Sequence, residues 1–178
     1  NGGATYQGVT ANEIRIAING TNAGGSNPCA EGKLPSEPPP GECESDRTFR
    51  VLMQYFNENF ELYGRRIQYY VSQPPTTSET DVRAAAVAAD EEYQVFAANG
   101  VYAPACQELA NRKIISMCAQ LPREDYERNH PYIWSFYSDG TELTDVTIEY
   151  MCKRLLGKPA AHAGDPTMVT RERKIGVV

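Results

Sequence analysis

Short apolar runs recur along the chain at Ile14–Asn19, Ile67–Val71, Val95–Ala98, Ile114–Ala119, Ile133–Phe136 and Ile175–Val178, and helix-like stretches separate most of them. Strands this apolar must be buried on both faces, and crossover helices supply the cover. The pattern predicts an α/β fold with a doubly wound parallel sheet, in which ligands sit at the carboxyl ends of the strands.

Finer features place the elements between those runs. Ile14, Ile16 and Ile18 mark the first strand, which opens into Gly20-Thr21-Asn22-Ala23-Gly24-Gly25. That loop lacks the G-x-G-x-x-G spacing of a dinucleotide site, and a Pro-rich segment rather than a helix follows it. Ser45 is the expected N-cap of a first helix whose inward face is Phe49, Met53, Phe56 and Phe60, with Gly64 as its stop. The second strand is Arg66–Val71. Ser78 with Asp81 three residues on starts a second helix, facing inward through Val82, Ala85, Ala89 and Tyr93. The third strand is Val95–Ala98, leading to Asn99-Gly100. A short helix over Pro104–Arg112 and a fourth strand over Ile114–Ala119 follow. Arg123–Arg128 reads as a solvated charged loop, and Tyr132–Phe136 as the fifth strand. Asp139 with Glu142 caps a fourth helix carrying Leu143, Val146, Tyr150 and Leu155, which Gly157 and Pro159 end. Lys174–Val178 is the expected last strand.

At 178 residues the chain can bury one good core. Its net charge of −6, with scattered Lys and Arg, argues against a nucleic-acid partner. Arg171-Glu172-Arg173-Lys174 is read as a solvated approach to a strand. No apolar run reaches the ~20 residues that span a bilayer. The five cysteines form no C-x-x-C pair and lie far in sequence from His130 and His162, so neither a metal nor a cofactor is expected. Cys29 and Cys43 flank a Pro- and Gly-rich loop that has no means of packing itself. A disulfide closing about 15 residues would remove roughly 3 kcal/mol of unfolded-state freedom, and it implies an oxidising compartment. Five reduced, unrelated thiols are the alternative.

Several stretches resemble the type I periplasmic binding proteins, in the branched-chain amino-acid-binding branch of ABC-transporter receptors. Gly8-Val9-Thr10-Ala11-Asn12-Glu13-Ile14-Arg15-Ile16-Ala17 is similar to the family's opening strand, and Tyr63-Gly64-Arg65-Arg66-Ile67 to the approach to its second. Glu91–Gly100 resembles the third strand. Tyr132–Gly140, then Gly157-Lys158-Pro159-Ala160 and Arg173–Val178, resemble the run into a second lobe. The resemblance implies that residues 1–172 form an N-terminal ligand-binding lobe with a Pro-rich insert at 27–43, and that 173–178 start a second lobe. The sheet order expected is 2-1-3-4-5, with right-handed crossovers.

The same resemblance implies a function: an extracellular solute-binding protein, secreted, periplasmic or lipid-anchored, that hands a small molecule to an ABC permease. The expected ligand loops hold Thr21, Asn22, Gly100, Val101, Tyr102, Ala119, Gln120, Tyr137 and Asp139. Gly100 lets the backbone come close to a ligand. The family's Ser and Thr carboxylate ligands would fall near Tyr102 and Gln120, where neither residue type stands, so the expected solute is amino-acid-like or a larger aromatic or polar molecule. Placement by element adds a second disulfide, Cys106–Cys118, with both residues towards the ligand edge. Cys152 is then the odd thiol, expected to be buried mid-helix.

An enzyme is not expected. No G-x-S-x-G elbow or P-loop is present, and His162 near Asp165 reads as a turn rather than half a triad. A ligand-sensing receptor or signalling module of the same fold remains the alternative function. Its receiver form is disfavoured, because Asn19-Gly20-Thr21 stands where an acidic cluster would be needed.

Overall fold

A computed structural model describes residues 3–18, 29, 31–100 and 102–176. Six strands form one sheet: β1 (Glu13–Ile18), β2 (Gly32–Lys33), β3 (Arg66–Val71), β4 (Ala97–Gly100), β5 (Ile115–Cys118) and β6 (Ile133–Trp134). The helices are α1 (Glu44–Asn59), α2 (Glu79–Glu91), α3 (Ala103–Asn111), α4 (Arg123–Asn129) and α5 (Gly140–Tyr150), the last running into a π-helical turn at Met151–Leu155.

Spatial order is β2-β3-β1-β4-β5-β6. The four pairings that join β3, β1, β4, β5 and β6 are parallel, which gives the expected 2-1-3-4-5 arrangement. The Pro-rich insert adds a short antiparallel edge, β2, against Val71 and Tyr70. That addition was not legible in the sequence, since two residues carry no periodicity.

Register shows why both faces are covered. Ala17 pairs with Ala98, and both point into the core built by Val82, Ala86, Ala89, Ala105 and Leu109 of α2 and α3. Tyr69 pairs with Ile16, one residue out of phase, so it faces the opposite side, where it meets Phe49 of α1 edge to face at 5.6 Å. Small alanines on α2 let it approach the sheet closely.

Several boundaries differ from the expected ones, each for a physical reason. Helix α1 starts at Glu44 with Cys43, not Ser45, as N-cap; the disulfide holds Cys43 extended, and the Ser45 hydroxyl lies against both of its sulfurs. The buried stripe of α1 is Asp46, Arg50 and Met53. Phe49 is half-buried, whereas Phe56 and Phe60 are exposed and cluster with Tyr55. The helix ends at Asn59, and Tyr63 and Gly64, both at positive φ, make the turn into β3 instead. Val95 packs into the core ahead of β4, so pairing begins only at Ala97.

Towards the chain's end the differences grow. Arg123–Arg128 is not a loop but most of α4, with Glu124 and Asp125 at its N-terminus and Arg128 in its last turn, as the helix dipole favours. The fifth parallel strand shrinks to Ile133–Trp134, and Phe136 is exposed. Helix α5 contacts α4 and its own following turn, so Leu143, Val146 and Tyr150 are exposed rather than core. For the same reason Cys152 is exposed, not buried. Residues 174–176 form no strand; the segment before them is tied to the turn after α5 by a single bridge, Glu172 to Pro159, and by the Arg173 N–H donating to the Lys158 carbonyl at 3.1 Å. Val177 and Val178 lie outside the described residues.

Candidate functional site

The carboxyl ends of β1, β4, β5 and β6 lie side by side along one edge, as the sheet order requires. Of the expected ligand residues there, Thr21, Asn22 and Val101 fall outside the described residues. Tyr102 is the N-cap residue of α3 and half-buried, its ring against the α2–α3 core. Ala119 and Gln120 are exposed, and Gln120 holds a left-handed φ of 60°.

Gly100 is buried and pairs in register with Cys118. A Cβ on Gly100 would sit 2.5 Å from Cys106 Sγ and 2.9 Å from Cys118 Sγ. Its missing side chain therefore makes room for the Cys106–Cys118 disulfide, which joins the first turn of α3 to the end of β5. The Cys29–Cys43 bridge is also formed, with Cα atoms 5.1 Å apart. Asp46 stands beside it, but the two sulfurs are bonded to each other and are not thiolates for a metal.

The loop after β5 is held from two sides. The Tyr126 hydroxyl donates to the Cys118 carbonyl at 2.7 Å and accepts from the Leu121 N–H. The Gly140 N–H donates to the Leu121 carbonyl at 2.8 Å. Gln120 and Asp139 are thereby brought close: the Gly140 Cα faces the Gln120 carbonyl, where a Cβ would be 3.0 Å away. Asp139 caps α5 through the Glu142 N–H and pairs with Arg123 at 3.0 Å. The Glu142 N–H, then Arg123, hold the Asp139 carboxyl below the usual carboxylate range. Tyr137 is exposed, packed ring to ring on Phe136 at 4.6 Å, and lines with Asp139 a cavity at the flank of β6.

Three features of this edge escaped sequence reasoning. Ser72, at the end of β3, is buried and donates to the Ala85 carbonyl at 2.8 Å. The next residue, Gln73, has a buried carboxamide whose nitrogen and oxygen both lack a partner among the described residues. Tyr126 belongs to α4, where a charged loop was expected; the acidic first turn and basic last turn are the signal of that helix. At the remote end, Asp165 binds the Thr167 N–H and hydroxyl, the turn expected of it.

No family model and no curated protein matches the sequence. Solved structures do. A possible leucine/isoleucine/valine-binding protein from Rhodopirellula baltica superposes with a TM-score of 0.56 at 12% identity, over 83% of this chain and 37% of its own. A branched-chain amino acid transporter substrate binding protein from Streptococcus pneumoniae, in complex with isoleucine, gives 0.53 at 10%, over 82% and 39%. An ABC-transporter solute binding protein from R. palustris, in complex with 4-hydroxybenzoate, gives 0.53 at 11%, over 82% and 37%. The chain thus spans well under half the length of the structures it matches. Among the described residues no helix is long and apolar enough to cross a membrane. The chain has the fold of one lobe of the type I periplasmic binding proteins.

Proposed function

We propose that this chain is the first lobe of a non-catalytic, extracellular solute-binding protein serving an ABC importer, and that its ligand lies along the carboxyl edge of the sheet. The observation that carries the reading is chemical. At that edge the carboxamide of Gln73 is buried and, among the described residues, has neither a donor nor an acceptor partner, a cost a polar solute would relieve. Tyr102, half-buried, and Gln120, exposed, border the same edge and bring an aromatic residue and an amide to it. The structural neighbours carry isoleucine and 4-hydroxybenzoate. An amino-acid-like or aromatic polar solute suits residues of this kind. A second lobe would supply the opposite wall and the burial that closure provides.

A thermal-shift screen of the complete protein against amino acids, small aromatic acids and amides tests the reading, with this 178-residue chain run in parallel. A stabilising ligand is expected, weaker on the single lobe and lost on Tyr102→Ala or Gln120→Ala. Turnover of any bound compound overturns it.

A further inference from the structure

The polarity of helix α1 is inverted. Its buried residues are Asp46, Arg50 and Met53, two of them ionisable, with Phe49 half-covered beside them. Its outer side carries Val51, Leu52, Tyr55 and Phe56, all exposed, Val51 at 50% and Tyr55 at 53%. A surface helix ordinarily turns its apolar stripe inward and its charges outward. The outer rings are already gathered: Tyr55, Phe56 and Phe60 meet one another with centroids 5.3, 5.6 and 6.2 Å apart. Thr48 and Asn59, the polar residues among them, each give a donor to their own helix, to the Glu44 and Tyr55 carbonyls at 2.9 and 2.8 Å. Contiguous exposed apolar surface of this kind marks an interaction site.

Two charges flank that surface at the wrong ends of the helix. Arg47 stands in the first turn and Glu58 in the last, each where the helix dipole favours the opposite sign. Both are exposed, and among the described residues neither forms an ion pair. Glu42, the carboxylate whose charge Arg47 feels, is already gripped by Arg50. Arg47 and Glu58 are 11 residues apart, about three turns, so they share one flank of the helix.

We propose that a second copy of this chain docks on this face, the two α1 helices packing antiparallel about a twofold axis close to Leu52 and Met53. A twofold contact has to complement itself. In an antiparallel pair, positions equally far from the axis on one flank lie opposite each other, so Arg47 of each copy meets Glu58 of the other. Leu52 then meets its own counterpart, and Val51 packs beside the Tyr55 ring of the second copy. Both misplaced charges gain a counter-charge that the single chain does not supply. Helix α1 has 16 residues and is about 24 Å long, so the contact is at the small end of specific interfaces and the dimer is weak. The proposal stands apart from the solute reading, because Gln73, Tyr102 and Gln120 all lie outside α1.

Sedimentation velocity of the 178-residue chain over a wide concentration range tests this. Concentration-dependent dimers are expected, and Tyr55→Glu should abolish them. Arg47→Glu alone and Glu58→Arg alone should each weaken association about tenfold or more, because each then sets two like-charge pairs face to face. Mixing those two variants should restore it, since both pairs of the mixed dimer join a Glu to an Arg. Each reversal agrees with the helix dipole and should leave the fold intact, which circular dichroism of dilute samples checks. If Tyr55→Glu fails to fold, the mixing experiment decides alone. A chain that stays monomeric at every concentration, dimers that survive Tyr55→Glu, or charge variants that associate no better mixed than apart overturn the proposal.

Discussion

The guanidinium of Arg50 grips the carboxylate of Glu42 with two prongs, Nε to Oε1 at 2.7 Å and Nη2 to Oε2 at 2.8 Å. The pair closes the Pro-rich insert onto α1 one residue before Cys43, and both side chains are largely covered. The Arg50 bond holds the Glu42 carboxyl below its ordinary value. A carboxyl whose folded value is depressed adds stability above its unfolded value, and that stability is lost as pH falls through the folded one. Glu42→Gln should therefore lower the melting temperature near neutral pH, and the gap from wild type should close as pH drops below the ordinary carboxylate range, about 4. Melting curves of both proteins from pH 7 to pH 3 check this; a gap that stays constant would show that the pair contributes nothing through charge.

Gly100 is a packing requirement of the second disulfide. Gly100→Ala should destabilise by about 1–3 kcal/mol, because the new methyl meets both sulfurs. In a Cys106→Ala, Cys118→Ala background the same substitution should cost clearly less, since the obstruction is gone. Chemical denaturation of the four proteins of this cycle measures the coupling, and strict additivity would refute it.

Thiol counting tests the covalent frame. The native, unreduced protein should expose one alkylatable thiol, Cys152, and five after reduction and unfolding. Removing the Cys106–Cys118 bridge, which spans 12 residues, should cost roughly 2–3 kcal/mol. Mass spectrometry after iodoacetamide treatment gives the count directly.

Asn57 acts as a surrogate strand. Its side-chain amide donates to the Ile67 carbonyl at 2.9 Å and accepts from the Ile67 N–H at 2.7 Å, on a strand whose two-residue neighbour β2 reaches only Tyr70 and Val71. Asn57→Ala leaves both backbone groups without that partner and should cost about 1–3 kcal/mol. Asn57→Asp, which keeps the acceptor, should fall between. Hydrogen exchange at the Ile67 amide should accelerate in the Ala variant; unchanged protection would show that water replaces the amide without loss.

Much of the architecture was legible because burial on two faces leaves a mark in composition. Ile14, Ile16 and Ile18, the alanines of α2 and the apolar run at Ile114 announce central strands and a close-packed helix, and their order matches the sheet. Caps were legible for the same local reason: Ser78 and Asp139 accept the N–H groups three residues on, as their spacing predicts. The Cys106–Cys118 pairing followed from which elements end at which edge, and Cys29–Cys43 from the Pro- and Gly-rich loop the two residues flank.

Other features depend on what lies across space, and no local pattern encodes them. Phe56, Phe60, Leu143 and Val146 have helical spacing, yet whether they are buried depends on what lies opposite, and among the described residues all four are exposed. Gly100 looked like a ligand-approach glycine until Cys106 and Cys118 were seen against it. The aromatic and acidic cavity joins residues from α4, β6 and α5 that are weak signals one at a time. Sequence by itself determined the central strands, helices α2, α3 and α5 and the caps at Ser78 and Asp139, since apolar periodicity and capping act within short stretches of chain. Tertiary structure alone decided which apolar faces are covered and which glycine yields to a disulfide, because each depends on distances between residues the chain brings together only when folded.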